Sequence, residues 1–107
     1  MGRARREEIA WAAGLFEGEG CITQSSGQSV LRLNSTDLDV LERFHAAVGR
    51  GEIYGPYENR PSRFRRKPFW VWVCPRSDAV DVIAELGPWL GSRRLARARE
   101  LGVFPWN

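Results

Sequence analysis

The sequence predicts a single α+β domain over residues 1–107, ordered α-β-β-α-β-β-α with a further terminal helix. Three observations carry that prediction. Apolar residues recur at helical spacing in residues 3–17 and again after residue 37, two pairs of short runs alternate apolar and polar side chains, and Gly, Pro and Ser clusters separate the segments. A chain of 107 residues holds one core, not two. With 43% hydrophobic and 27% charged residues, five Trp and mean hydropathy −0.38, disorder and collagen-like repetition are excluded.

The first helix is expected over residues 3–17, with Ile9, Ala12, Ala13 and Phe16 toward a core and Trp11 and Leu15 on a second contact face. Cys21–Gln24 and Val30–Asn34 read as a hairpin about Ser25-Ser-Gly-Gln28, where Gly27 takes a positive φ. Leu31 and Leu33 alternate with Arg32 and Asn34, so one face of this hairpin is core and the other polar. Ser35-Thr36-Asp37 is expected to cap a helix whose buried side is Leu38, Leu41, Phe44 and Val48, and Gly49 and Gly51 end it. Glu52–Tyr57 and Pro68–Cys74 are the remaining strands, the latter with Phe69, Val71 and Val73 on one side and Trp70 and Trp72 on the other. A helix capped by Ser77 or Asp78 follows to Leu86, then a short turn at Pro88 and a helix from Arg93 to Leu101.

The longest charge-free apolar stretch, Ile9 to Phe16, is far short of the roughly 20 residues that span a bilayer. No membrane association is expected. The acidic residues Glu7, Glu8, Glu17 and Glu19 break any signal-peptide pattern, so the expected location is the cytoplasm, with nucleoid DNA. Cys21 and Cys74 are expected as small reduced core residues, and His45, with no companion ligand at metal spacing, as packed or surface-lying.

Net charge is +3 and the isoelectric point about 9.4, a balance that suits nucleic acid better than acidic small molecules. Only Lys67 among the 16 basic residues is lysine, and guanidinium forks suit phosphates and guanine edges. Arg60, Arg63, Arg65, Arg66 and Lys67 crowd five positive charges into eight residues between the last two strands, while Arg93, Arg94, Arg97 and Arg99 form a second cluster. Like charges this close repel unless an anion is present, which makes the first cluster a candidate phosphate-binding loop.

Ala10, Gly14 and Gly18 recur every four residues, giving one helical stripe almost without side-chain bulk. A second helix, or the chain's own sheet, could approach it closely. Glu17 and Glu19 end this helix, where a carboxylate meets the negative end of the macrodipole at a cost of about 0.3 to 1 kcal/mol. A divalent cation held by carboxylate and main-chain oxygens would repay that cost.

Ala12-Ala-Gly-Leu-Phe-Glu-Gly-Glu-Gly20 resembles the nonapeptide motif of the LAGLIDADG homing endonucleases, single-motif homodimeric type. Leu33-Asn-Ser-Thr-Asp37 is similar to the family's strand-to-helix element, and Pro88-Trp-Leu90 with Arg93 to its late proline-leucine-lysine element. The resemblance covers nearly the whole chain. It implies an αββαββα fold whose four-stranded curved antiparallel sheet lies on the major groove of double-stranded DNA. It further implies a homodimer joined through the first helix, with Ala10, Ala13, Gly14, Glu17 and Gly18 at the interface. The implied cofactor is Mg²⁺, for which Ca²⁺ or Mn²⁺ can substitute, held by Glu19 and the Gly18 carbonyl.

On this resemblance Glu19, Arg93 and Ser35 are the candidate catalytic residues: metal ligand, charge stabiliser and water-positioning hydroxyl. Two departures stand out. Ser35 occupies the place of an expected glutamine, and Arg93, whose guanidinium stays protonated, that of an expected lysine. The implied reaction is Mg²⁺-dependent hydrolysis of both strands of a long pseudo-palindromic site, leaving short 3′ overhangs. Thr23 or Gln24, with Gln28, Arg32, Asn34, Tyr54, Trp70 and Trp72, are candidate base contacts, Gln24, Gln28 and Arg32 foremost, since the sequence does not fix which alternation faces out, and Arg60, Arg63, Arg65, Arg66 and Lys67 are candidate phosphate contacts. The alternative is a non-cleaving DNA-binding protein of the same fold.

Overall fold

The computed structural model describes residues 2–58 and 67–106, with side chains from residue 4 onward. Helix α1 runs Gly2–Glu19, strands β1 and β2 Gly20–Ser25 and Gln28–Ser35, and α2 Leu38–Val48. Strands β3 and β4 are Glu52–Tyr57 and Phe69–Pro75; α3 is Arg76–Leu86, a short 3-10 turn covers Gly87–Trp89, and α4 is Ser92–Glu100. This is the expected element order. The four strands form one antiparallel sheet in the order β1-β2-β4-β3.

The β1–β2 turn places both Ser26 and Gly27 at positive φ, the backbone that matches strand twist in a two-residue hairpin. Register then decides the faces. Gly20, Ile22 and Gln24 oppose Leu33, Leu31 and Ser29, while Cys21, Thr23 and Ser25 oppose Arg32, Val30 and Gln28. The first set faces the helices. There Ile22, Leu31, Leu33, Trp72 and Cys74 pack with Ile9, Ala12, Ala13 and Phe16 of α1 and the buried sides of α2 and α3. Phe44 stacks beside Phe16 and meets Trp72 edge-on at 4.8 Å between centroids.

Trp72 is therefore core, with no exposed surface, and its indole N–H donates to the Arg50 carbonyl at 2.9 Å. The expectation that Trp72 touches DNA is corrected: a buried indole is satisfied inside the fold. Cys21 is exposed on the outer face rather than in the core, and both cysteines are free. Two caps also differ. Ser35 does not cap α2 through its side chain; its Oγ accepts the Asp37 N–H at 2.9 Å, and Asp37 is the N-cap residue without a side-chain bond. Helix α3 starts at Arg76 after Pro75, ahead of Ser77 and Asp78.

Strand β3 holds an irregularity with consequences for the outer face. Tyr54 opposes Val71 and Tyr57 opposes Phe69, so three steps on β3 match two on β4. The extra residue brings both tyrosines to the same face. Gly55 lies within it at φ 130°, where a Cβ would sit 2.9 Å from the Trp70 ring.

Gly20 joins α1 to β1 so tightly that a Cβ would fall 2.3 Å from the fully buried Phe16 ring. Gly20→Ala is expected to cost about 1 to 3 kcal/mol of stability, checked by urea unfolding. Burial pushes the Cys74 thiol up to about 12, with Asp78 adding to the effect. Because thiolate is the reacting form, iodoacetamide at pH 8 should label Cys21 in the native protein and Cys74 only after denaturation, as read by peptide mass.

Candidate functional site

Three parts of the molecule meet at the C-terminal turn of α1. Ile9, Ala12, Ala13 and Phe16 are buried in the protomer, so the opposite side of the helix is turned out. Gly14 and Gly18 are exposed there, and a Cβ on either would meet nothing within 4 Å. The stripe formed with the half-buried Ala10 is thus not used to seat α1 on its own sheet. Ala13 belongs to the core and cannot be part of a seam with another chain, which corrects the expectation for that residue. Beside the stripe, Arg43 lies 3.8 Å over the Trp11 ring and donates twice to Glu8, whose carboxyl it holds below the usual range.

The two terminal carboxylates separate in role. Glu17 turns inward, and its Oε1 accepts the Gly91 N–H at 2.8 Å at the N-terminus of α4. Its main-chain carbonyl accepts two bonds from the Arg94 guanidinium, at 3.0 and 3.3 Å. Each helix end is thereby supplied with the charge its dipole favours, an anion at the start of α4 and a cation at the end of α1. Glu17 was expected at a dimer interface, but its carboxylate is spent within the protomer. Arg97 similarly donates to the Ile22 carbonyl at 3.1 Å and pairs with Glu100, while Arg99 lies over the Phe104 ring.

Glu19 has no such partner among the described residues. It is exposed and lines a cleft of about 770 Å³ with Asn34, Ser35, Thr36, Asp37 and Lys67, over an apolar wall that includes Leu15 and Phe69. Glu19 and Ser35 thus share one cleft. The Ser35 oxygen already accepts the Asp37 amide, which leaves its hydroxyl proton to be donated. Arg93 lies elsewhere, in a second cleft that reaches Gly18, Cys21 and Arg94 but is not lined by Glu19. Among the described residues the cation lining the Glu19 cleft is Lys67, which sequence reasoning assigned only to phosphate contacts.

A carboxylate beside main-chain oxygens at a helix end is a hard-oxygen donor set of the kind Mg²⁺ and Ca²⁺ take. Among the described residues no group of three His, Cys, Asp or Glu side chains could hold a metal ion within one protomer. Glu19 and the Gly18 carbonyl match such a cation in the kind of donor they offer.

The outer face of the sheet carries Thr23, Gln28, Arg32, Asn34 and Tyr54, together with Val30, Val71 and Val73. Gln28, Arg32, Asn34 and Tyr54 are where a groove-facing surface needs them. Gln24 is not: it shares the face of Ile22, and Thr23 is the outward residue of that pair. Tyr57, 46% exposed, joins the outer face through the β3 irregularity and was missed, because strand alternation alone would turn it away from Tyr54. Of the basic loop only Lys67 is described; Arg60, Arg63, Arg65 and Arg66 lie outside the described residues.

The family model for a LAGLIDADG-like domain matches residues 6–87, most of the chain, and the protein belongs to the LAGLIDADG family. Two solved structures show the same fold. One is the homing endonuclease I-CvuI bound to the I-CreI target in the presence of Mg, with the DNA not cleaved. It is 18% identical with a TM-score of 0.65, and the match covers 90% of this chain and 64% of that one. The other is the archaeal intron-encoded homing endonuclease I-Vdi141I complexed with DNA, 15% identical with a TM-score of 0.63 over 90% of this chain and 67% of that one. The chain thus spans just under two-thirds of the length of I-CvuI. A search of curated proteins finds no match.

Filling the bare stripe separates its two possible roles. Gly14→Ala, in open space, should stabilise the chain by about 0.5 to 1 kcal/mol where the stripe faces only solvent, whereas a loss of association on Gly14→Leu in sedimentation equilibrium, with an unchanged circular dichroism spectrum, would mark the stripe as a contact with a second chain.

Proposed function

We propose that this member of the LAGLIDADG family is a Mg²⁺-dependent, site-specific DNA endonuclease that acts as a homodimer on a long pseudo-palindromic site. The observation that carries this reading is the Glu19 carboxylate, without a partner among the described residues, at the end of a helix whose outward stripe lacks bulk. Two such helices crossing at a dyad would bring both Glu19 carboxylates to one place, and a two-fold dimer matches a two-fold target. I-CvuI was crystallised with DNA in the presence of Mg in one case and Ca in another, and we extend that metal use to this chain.

In the proposed mechanism Glu19 and the Gly18 carbonyl hold the cation. When bound, Mg²⁺ would supply Lewis-acid polarisation of the scissile phosphate. The Ser35 hydroxyl donates to and orients the incoming water, whose oxygen bonds to phosphorus as the bond to the 3′ oxygen breaks. A 5′ phosphate and a 3′ hydroxyl result, the latter taking a proton. Lys67 lies on the same cleft as Glu19 and adds positive charge near the phosphate oxygens on which negative charge develops. Arg93, in the neighbouring cleft, engages the DNA backbone beside the cut. Arg94 and Glu17 are positioning residues that fix the turn on which Glu19 stands.

The outer sheet face supplies base contacts from Gln28, Arg32, Asn34 and Tyr54, and the loop of Arg60, Arg63, Arg65, Arg66 and Lys67 grips phosphates. A second reading, site-specific binding without cleavage, is favoured by one observation: Arg93, standing where the family's lysine is expected, does not share the Glu19 cleft.

A randomised duplex library incubated with Mg²⁺ or Ca²⁺ yields the target and separates the two readings. Wild type should cut selected duplexes in Mg²⁺ and only retain them in Ca²⁺. Glu19→Gln should lower cutting at least 10³-fold with affinity in Ca²⁺ within threefold; cutting at the wild-type rate would remove Glu19 from the mechanism. Replacing three of the loop arginines by Gln should lower the slope of log affinity against log salt by about 2 to 3 without changing which sequence is selected.

A further inference from the structure

A solvent-facing side of an antiparallel sheet is ordinarily polar, and the outer face here departs from that pattern. Val30 and Val71 are almost fully buried yet lie outside the core cluster, because they stand on the opposite side of the sheet from it. Val71 and Val73, with Tyr54, Tyr57 and Arg32, line an outward-opening cup of about 380 Å³. Tyr54 is 50% exposed, and the β3 irregularity sets both tyrosines on the rim of the cup.

Arg32 and Glu58 are the charged residues that line this cup among the described residues, and Arg32 is the donor. It is half-buried, its register neighbours are Cys21 and Val73, and it has no hydrogen-bond or ion-pair partner among the described residues. A guanidinium in that setting suits the two acceptors of a guanine edge. Moving two residues along a strand covers about 6.6 Å, close to two base-pair rises of about 3.4 Å. Whatever base edge meets the Val71 and Val73 rows is accordingly within about two pairs of the base that meets Arg32.

In the major groove the apolar feature of a base edge is the 5-methyl group of thymine. We infer that the Val71, Val73 and Tyr54 cup takes the 5-methyl group of a pyrimidine, thymine in unmodified DNA, within two base pairs of the guanine on Arg32 in each half-site. The inference rests on the proposed DNA-binding function and deepens it, since it names the base chemistry that the chain selects. The valines contribute no hydrogen bond, so discrimination comes from removing methyl surface from water, worth about fourfold for one buried carbon.

The test uses the full chain and the duplex selected in Ca²⁺. Each thymine is replaced in turn by deoxyuridine, which deletes the methyl group and leaves pairing intact. One thymine per half-site, within two pairs of a guanine whose replacement is ignored by Arg32→Ala, should lose threefold to tenfold in affinity. A similar ratio is expected between 5-methylcytosine and cytosine placed there. Val73→Ser, which removes both γ-methyl groups at a partly exposed strand position, should erase the methyl ratio in a protein whose circular dichroism spectrum stays native. Equal affinity for thymine and uracil throughout that window overturns the inference, as does a methyl ratio unchanged by Val73→Ser in the folded protein. A library from which no duplex is retained would overturn the DNA-binding proposal itself, so the two failures are distinct.

Discussion

A helix that ends in two carboxylates works against its own dipole, and α1 ends in Glu17 and Glu19 with no basic residue in its last turn. The fold resolves half of that conflict internally. Glu17 is drawn to the amide at the start of α4, while Arg94 reaches back to the carbonyl of Glu17. This exchange ties the end of the chain to the junction of α1 and β1, and Gly20, pressed on Phe16, fixes the direction in which the chain leaves. Glu19, the other half of the conflict, is left pointing into an open cleft. The arrangement leaves an acidic group at a helix terminus without a hydrogen-bond partner among the described residues, a setting in which a divalent cation would be favourable.

That geometry divides α1 into two faces with different purposes. One face carries Ile9, Ala12, Ala13 and Phe16 into the core against the sheet. Its reverse offers Ala10, Gly14 and Gly18, where nothing in the protomer comes within contact of an added methyl on either glycine. Glycine in a helix interior costs about 0.5 to 1 kcal/mol relative to alanine, and two such residues on an unpacked surface are a stability cost without an internal benefit. A second helix at close range would make use of them.

Much of this was legible in the sequence, for reasons that can be named. The period of Ile9, Ala12, Ala13 and Phe16 specified α1, the pairs Leu31/Arg32 and Leu33/Asn34 specified the faces of β2, and Gly49, at φ 68°, ended α2 as the pattern requires. What failed was information held in the third dimension. Trp72 and Val71 are neighbours in an apolar strand, and only pairing with Leu33 and Asn34 shows which of them is core. The choice between Thr23 and Gln24 was undecidable for the same reason. Tyr57 was missed because an irregularity adds a residue and reverses the alternation. Glu17, expected at an interface, could not be seen to bind within the chain until the start of α4, 74 residues away in sequence, took its carboxylate.

The account stands on two copies of α1 meeting through the Gly14 stripe, and a single cross-linking measurement tests that most directly. With Cys21→Ser removing the exposed thiol, Gly14→Cys should form a disulfide between chains under mild oxidation, since the Cα atoms of a bonded pair must lie within about 7 Å. A covalent dimer in non-reducing electrophoresis, absent from the same background carrying Asp81→Cys on α3, is the predicted result. A chain that stays monomeric, or that cross-links equally well through Asp81→Cys, would contradict it.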